Sequence, residues 1–120
     1  MFDVATGTTL TQSGNIDGSG GLTKIGSGAL VLGGTNTYQG GTAINAGTIS
    51  ISSNANLGAA AGTLTFDGGI LQATADVTMS RATALNAGGG TFDVAANTTL
   101  THNGVIDGAG GLIKSGGGTL

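Results

Sequence analysis

The residues in this chain that could do chemistry are few. Asp17-Gly-Ser-Gly-Gly and Asp107-Gly-Ala-Gly-Gly set a carboxylate beside a glycine run, the local appearance of a calcium-binding solenoid. That chemistry needs aspartates that follow the glycines, recur every nine residues or so, and stack their oxygens around one cation. Here one such aspartate occurs per 90 residues and precedes its glycines, as in a plain Asp-Gly turn. His102 stands alone, at the position of Gln12 in an earlier copy of the same stretch, and reads as a solvated side chain without a second metal ligand.

Nucleophilic catalysis has no thiolate to use and no Gly-x-Ser-x-Gly elbow. Polysaccharide cleavage needs carboxylates clustered on one face, and the six aspartates are scattered along the chain. Gly18-Ser-Gly20 and Gly26-Ser-Gly28 lack the third glycine and the Gly-Lys-Ser/Thr of a phosphate loop. Asn97-Thr-Thr is a formal glycosylation sequon and reads as chance. The expectation is no catalytic, cofactor-binding or metal-binding residue.

Composition narrows the classes further. Three cations, Lys24, Arg81 and Lys114, face six aspartates, for a formal net charge of -3, which argues against nucleic acid, whose backbone must be neutralised by Lys and Arg. There is no cysteine, so disulfides and thiolate metal sites are excluded. No apolar run reaches membrane-spanning length, and Met-Phe-Asp-Val does not begin a signal peptide. Glycine supplies 26 of 120 residues, yet 38% of residues are apolar and fall at alternate positions, which favours a folded chain over a linker.

The elements that would position any site are written in repeats. Residues 2–30 and 92–120 match without a gap at an offset of 90, with 19 of 29 pairs identical. A smaller beat, glycine followed by x-apolar-polar-apolar, falls at Gly28, Gly47, Gly69 and Gly90 and restarts at Gly118, with spacings of 19, 22, 21 and 28. A second strand precedes each marker: Leu22-Thr-Lys, Thr42-Ala-Ile, Leu64-Thr-Phe, Ala84-Leu and Leu112-Ile-Lys. A third lies between: Leu10, Asn36-Thr-Tyr38, Ala55-Asn-Leu57, Val77-Thr-Met79 and Leu100.

Three short strands per turn of roughly twenty residues is the rhythm of a parallel β-solenoid. Residues 1–120 are therefore expected to form one all-β segment, a parallel β-solenoid of about five rungs with three short strands per rung, excerpted from a longer array. Leu30 and Leu32, Ile49 and Ile51, Leu71 and Ala73, and Phe92 and Val94 should point inward, with Ser50, Gln72 and Asp93 facing water. Asn36, Asn45, Asn54, Asn56 and Asn86 should sit beside turns, where asparagine tolerates the left-handed region and can form a side-chain ladder. Leu57-Gly-Ala-Ala-Ala, the best helix candidate, reads as a turn.

Residues 18–49 resemble the autotransporter-associated β-strand repeat of bacterial passenger domains. The resemblance rests on Gly-Gly-Leu-x-Lys, Gly-x-Leu-x-Leu, Asn-Thr-Tyr-x-Gly-Gly-Thr and Ile-Asn-Ala-Gly-Thr-Ile, and Gly108–Leu120 begins a second copy. It implies a right-handed parallel β-helix within a long secreted or surface-anchored protein, often an adhesin, whose repeat carries no catalytic residues and whose barrel and export signal lie outside these residues. It thus implies an extracellular or cell-surface location and an extended stalk, with an unnamed host or cell-surface ligand. Two other readings stand beside it. Open end rungs could pair with further copies into filaments. Thr9-Leu-Thr, Thr63-Leu-Thr and Thr99-Leu-Thr could also present outward threonine pairs to ice, although β-propensity alone explains them.

Overall fold

A computed structural model describes residues 2–59 and 62–120. The strands are β1 (Phe2–Asp3), β2 (Thr9–Gln12), β3 (Leu22–Ile25), β4 (Ala29–Leu32), β5 (Thr42–Ile44), β6 (Thr48–Ile51) and β7 (Leu64–Phe66). They continue as β8 (Ile70–Ala73), β9 (Val77–Met79), β10 (Thr83–Leu85), β11 (Gly90–Val94), β12 (Leu100–His102), β13 (Ile106–Gly108) and β14 (Leu112–Ser115). One sheet runs β1-β3-β5-β7-β10-β13 and a second runs β2-β4-β6-β8-β11-β14. Every strand pair in them is parallel, so the chain is a β-solenoid of about five turns.

The third side is less regular than the sequence reading expected. Only β9 and β12 pair there as strands among the described residues. Residues 36–39 run beside 16–20 through single backbone bonds, such as Thr37 N to Ile16 O at 2.9 Å. On the next turn a 3-10 helix, Asn54–Leu57, replaces the strand, with Ser53 as its N-cap and Asn56 completing a capping box. Ala60 and Ala61, part of the run read as a turn, lie outside the described residues.

The interior follows from alternation. Leu30, Ile49, Leu71 and Phe92 stack in one column of the second sheet, and Leu32, Ile51, Ala73 and Val94 in the next, all at most 1% exposed. Burying each large side chain contributes about 1.5–3 kcal/mol, which no single turn could set against its backbone entropy. Phe66 and Phe92 meet edge to face at 5.3 Å, joining the two sheets across the core. Gln72 and Asp93 are half-buried on the outer face and bonded to each other, as Nε2 to Oδ2 at 3.3 Å. Ser50, expected in water, is buried: it is too short to rise above Val31 and Gln72, its neighbours in the same column.

The corners work in two ways. At Gly47, φ is +67°, and a Cβ would lie 2.4 Å from the carbonyl oxygens of Gly26 and Gly28, so only glycine fits. At Gly7, φ is +77° but the surrounding space is open, and in the second copy Asn97 takes the same conformation at +65°. Asn97 is the only non-glycine residue with positive φ among those described, so Asn36, Asn45, Asn54, Asn56 and Asn86 do not use the left-handed region expected of them.

The 90-residue unit and the turn are incommensurate. Phe2 lies in the first sheet and pairs with Lys24; its counterpart Phe92 lies in the second and pairs with Lys114. Local pairing is thus preserved while the whole copy is carried one side further round, four turns and a third per unit. This corrects the reading of Gly118 as a fifth marker on one face: Thr119 bridges Thr99 on the third side. Leu112 likewise belongs with the second sheet, as does Leu10, which had been grouped with the third.

Candidate functional site

The polar side chains that the fold gathers are inside the solenoid. Leu22-x-Lys24 shares one inward parity, so Lys24 enters the core and is fully buried. Its Nζ reaches the corner and donates to the carbonyls of Ile25 (2.8 Å), Gly26 (2.6 Å) and, one turn on, Ala46 (3.2 Å). Burial pushes its pKa below the ordinary lysine value, opposed by the nearby Asp3 carboxylate.

A second cluster ties the third side together. Asn36 accepts from Ile16 N at 2.9 Å and donates to Asn56 O at 2.6 Å; Asn56 in turn donates to Gly34 O at 2.8 Å. Tyr38 is buried, its hydroxyl 2.6 Å from Thr42 Oγ1, and burial raises its pKa. These asparagines, expected to serve turns, instead satisfy backbone groups inside the column, where an unpaired group would cost about 1–3 kcal/mol.

Arg81 continues the inward alternation of Val77 and Met79 and is 2% exposed. Nε donates to Asn54 Oδ1 (2.9 Å), Nη1 to the carbonyls of Leu57, Ala59 and Gly62 (3.1, 3.0 and 3.2 Å), and Nη2 to those of Asn54 and Gly58 (3.0 and 3.3 Å). No carboxylate is among these partners. The guanidinium fills a cage of backbone dipoles and so holds Asn54, residues 57–59 and Gly62 against the column. Burial lowers its pKa, opposed by Tyr38.

His102 is not the solvated side chain expected. It turns inward beside Phe92, with ring centroids 6.0 Å apart, and Nε2 meets Thr83 Oγ1 at 2.7 Å. Its Nδ1 is buried without a hydrogen-bond partner, and burial holds its pKa below the usual value, against opposing backbone interactions at Gly104 and His102 itself. Asp17 lies on the third side of the first turn and Asp107 in the first sheet near the opposite end, so the two Asp-Gly corners do not come together. Among the described residues no group of three His, Cys, Asp or Glu side chains could hold a metal ion.

The outer surface offers little relief. Thr9 and Thr11 lie on the second sheet, Thr65 on the first and Thr101 on the third, so the three threonine pairs do not share a face. The screw offset that carries each copy to the next side separates them. Two shallow furrows, of about 170 and 120 Å³, run past Gly89, Gly90 and Gly111 and past Gly21, Gly40 and Gly41. Parity in Val77-x-Met79-x-Arg81 and Leu22-x-Lys24 could have marked the two buried cations from sequence; their carbonyl partners could not be read that way.

Comparison with known proteins agrees with this architecture. Residues 22–51, from β3 to the end of β6, match the passenger-associated-transport-repeat. The chain is 48% identical over 115 residues, 96% of its length, to the adhesin BmaC autotransporter of Brucella suis biovar 1 (strain 1330), and spans 3% of that protein. No solved structure matches. Residues 22–51 thus carry the passenger-associated-transport-repeat, set in a β-solenoid that resembles a short stretch of an autotransporter adhesin.

Proposed function

We propose that this chain is a structural segment of the shaft of a cell-surface or secreted autotransporter-like protein, extending and displaying what lies along it, without catalysis of its own. The observation that carries this reading is the use made of the interior polar groups. Lys24, Asn36, Asn56 and Arg81 are all engaged in holding backbone carbonyls and amides between turns, while two six-stranded sheets run unbroken from end to end. Such a column resists bending and gains length with every turn added. The likeness to an adhesin supports the surface location and a role in presenting a host-binding or cell-binding region.

The test is immunolabelling of intact cells with antibody raised against the 120-residue chain, followed by a cell-binding assay with the purified chain. Labelling of unpermeabilised cells, with no saturable cell binding by the chain alone, is the expected result. Absence of labelling on intact cells that do produce the protein would sink the reading. Saturable binding by the chain itself would replace a passive shaft with an adhesive one.

A further inference from the structure

We propose that Asn97, in the sequon Asn97-Thr98-Thr99, is an acceptor for an N-linked sugar, presented on a protruding corner of the folded chain. Of the eight asparagines it is the only one with Ser or Thr two positions further on. Such a triplet acquires chemical meaning when it lies on a surface loop of a protein displayed outside the cell. Residues 95–99 form that loop.

This corner is longer than the ones stacked on it. Val94 pairs with Ala73 and Leu100 with Val77, so five residues, 95–99, run where the turn before has three, 74–76. On the other side Asp93 pairs with Ser115 and Thr99 with Thr119, so 94–98 again oppose three residues, 116–118. Both neighbouring turns are in place and bonded: Ala95 N to Ala73 O at 3.0 Å, Val77 N to Thr99 O at 3.0 Å, Gly118 N to Val94 O at 2.9 Å and Thr119 N to Thr98 O at 3.0 Å. Val94 and Leu100 are anchored in the core, so the two surplus residues bow outward, and Ala96 and Asn97 are exposed with a turn on either side of them.

The side chains are placed as the transfer needs. Asn97 has φ +65°, and Gly7 meets the same requirement in the other copy at +77°, so the turn itself does not call for a carboxamide. Thr98 Oγ1 donates to Ala95 O at 2.6 Å and Asp76 Oδ1 accepts Thr99 N at 2.8 Å, which fixes the corner; the Asn97 carboxamide takes part in neither bond. Thr99, which supplies the hydroxyl a sequon needs, is exposed. In the reaction Asn97 Nδ2 bonds to C1 of a phosphate-activated sugar; the C1–O bond to phosphate breaks, the phosphate leaves with the electron pair, and one amide proton passes to a base of the transferase. Nucleotide-linked and lipid-linked sugars share this chemistry. The site goes beyond the shaft reading, which cell labelling tests separately.

The experiment is tryptic peptide mapping, by mass spectrometry, of the protein purified from the cells that produce it. Cleavage after Arg81 and Lys114 yields residues 82–114, which also hold Asn86 and Asn103, so fragmentation assigns the site. The expected result is this peptide heavier by a sugar on Asn97, with Asn86 and Asn103 bare. Asn97→Gly, which installs the residue of the other copy and keeps the corner, should abolish the mass gain, and Thr99→Val should lower occupancy roughly tenfold or more. In a second arm the folded 120-residue protein is given a soluble asparagine glycosyltransferase with a nucleotide-linked hexose, or transferase-bearing membranes with a lipid-linked oligosaccharide; the one that modifies Asn97 names the donor. Peptide 82–114 recovered from cells only unmodified overturns the proposal. So does sugar on Thr98 or Thr99 in place of Asn97, unchanged occupancy in Thr99→Val, or refusal by the folded protein of a sugar that a peptide of residues 95–101 accepts.

Discussion

Replacing Arg81 by alanine removes the six side-chain bonds that tie residues 54–59 and Gly62 to the following turn. The guanidinium makes six contacts, and those to the carbonyls of Leu57, Gly58 and Gly62 are fully buried. A buried acceptor left without a donor costs about 1–3 kcal/mol, and the part-buried oxygens of Asn54 and Ala59 can recover water. Leu57 O keeps Thr42 Oγ1 at 3.4 Å, so counting the carbonyls of Gly58 and Gly62 gives a loss of about 2–4 kcal/mol, a large fraction of the roughly 5–15 kcal/mol that holds a typical domain together. Urea unfolding followed by far-ultraviolet circular dichroism measures it, with an unchanged denaturant slope showing that the folded state is still compact. Arg81→Lys keeps the charge but gathers its donors on one nitrogen, and should recover less than half of the loss. Amide exchange should quicken first in residues 54–62 in both variants. If Arg81→Ala loses less than about 1 kcal/mol and those amides keep their protection, the carbonyl cage is not what holds the lobe.

Gly47→Ala should destabilise by at least about 2 kcal/mol, because positive φ and a 2.4 Å approach to two carbonyls act together; an unfolding midpoint within error of the parent would refute the corner geometry. Phe92→Ala opens a cavity against Phe66 and His102 and should cost about 3–5 kcal/mol in the same assay, with tryptic cleavage rising throughout the chain and not at one end. His102 is held neutral by burial, so below its unfolded value of 6.5 the unfolded chain binds a proton that the folded chain refuses; stability is full above that pH and is lost as pH falls through the lowered folded value. His102→Gln, the residue found at position 12 of the other copy, should flatten this acid limb below about pH 6.5, and an unchanged limb would show that another group carries it.

Most of the architecture could be read before any coordinates. Alternation in Ala-Leu-Val-Leu and Thr-Ile-Ser-Ile marked the inward residues, and the glycine beat marked the corners, because both are set by a residue's own stereochemistry and its immediate neighbours. The 90-residue repeat was equally plain, whereas the pairing of Phe2 on Lys24 and Phe92 on Lys114 was not, since the strand classes read from the glycine beat set Leu112-Ile-Lys on a different side from Phe92. Ser50, His102 and the buried Asn36 and Asn56 were misplaced for one reason. Each is governed by the residue one turn away, some twenty positions along the chain, which no local window contains.

By itself, then, the amino-acid sequence determined that the chain winds as a solenoid, which apolar side chains fill it, and that it repeats every 90 residues. Only the tertiary structure decided which side each copy occupies, since the first and second sheets are both parallel ladders and the same local pairing forms on either. The same is true of the two buried cations. Their inward parity is written in the sequence, but a carbonyl cage exists only when the turns above and below bring Ala46 to Lys24 and residues 54–62 to Arg81.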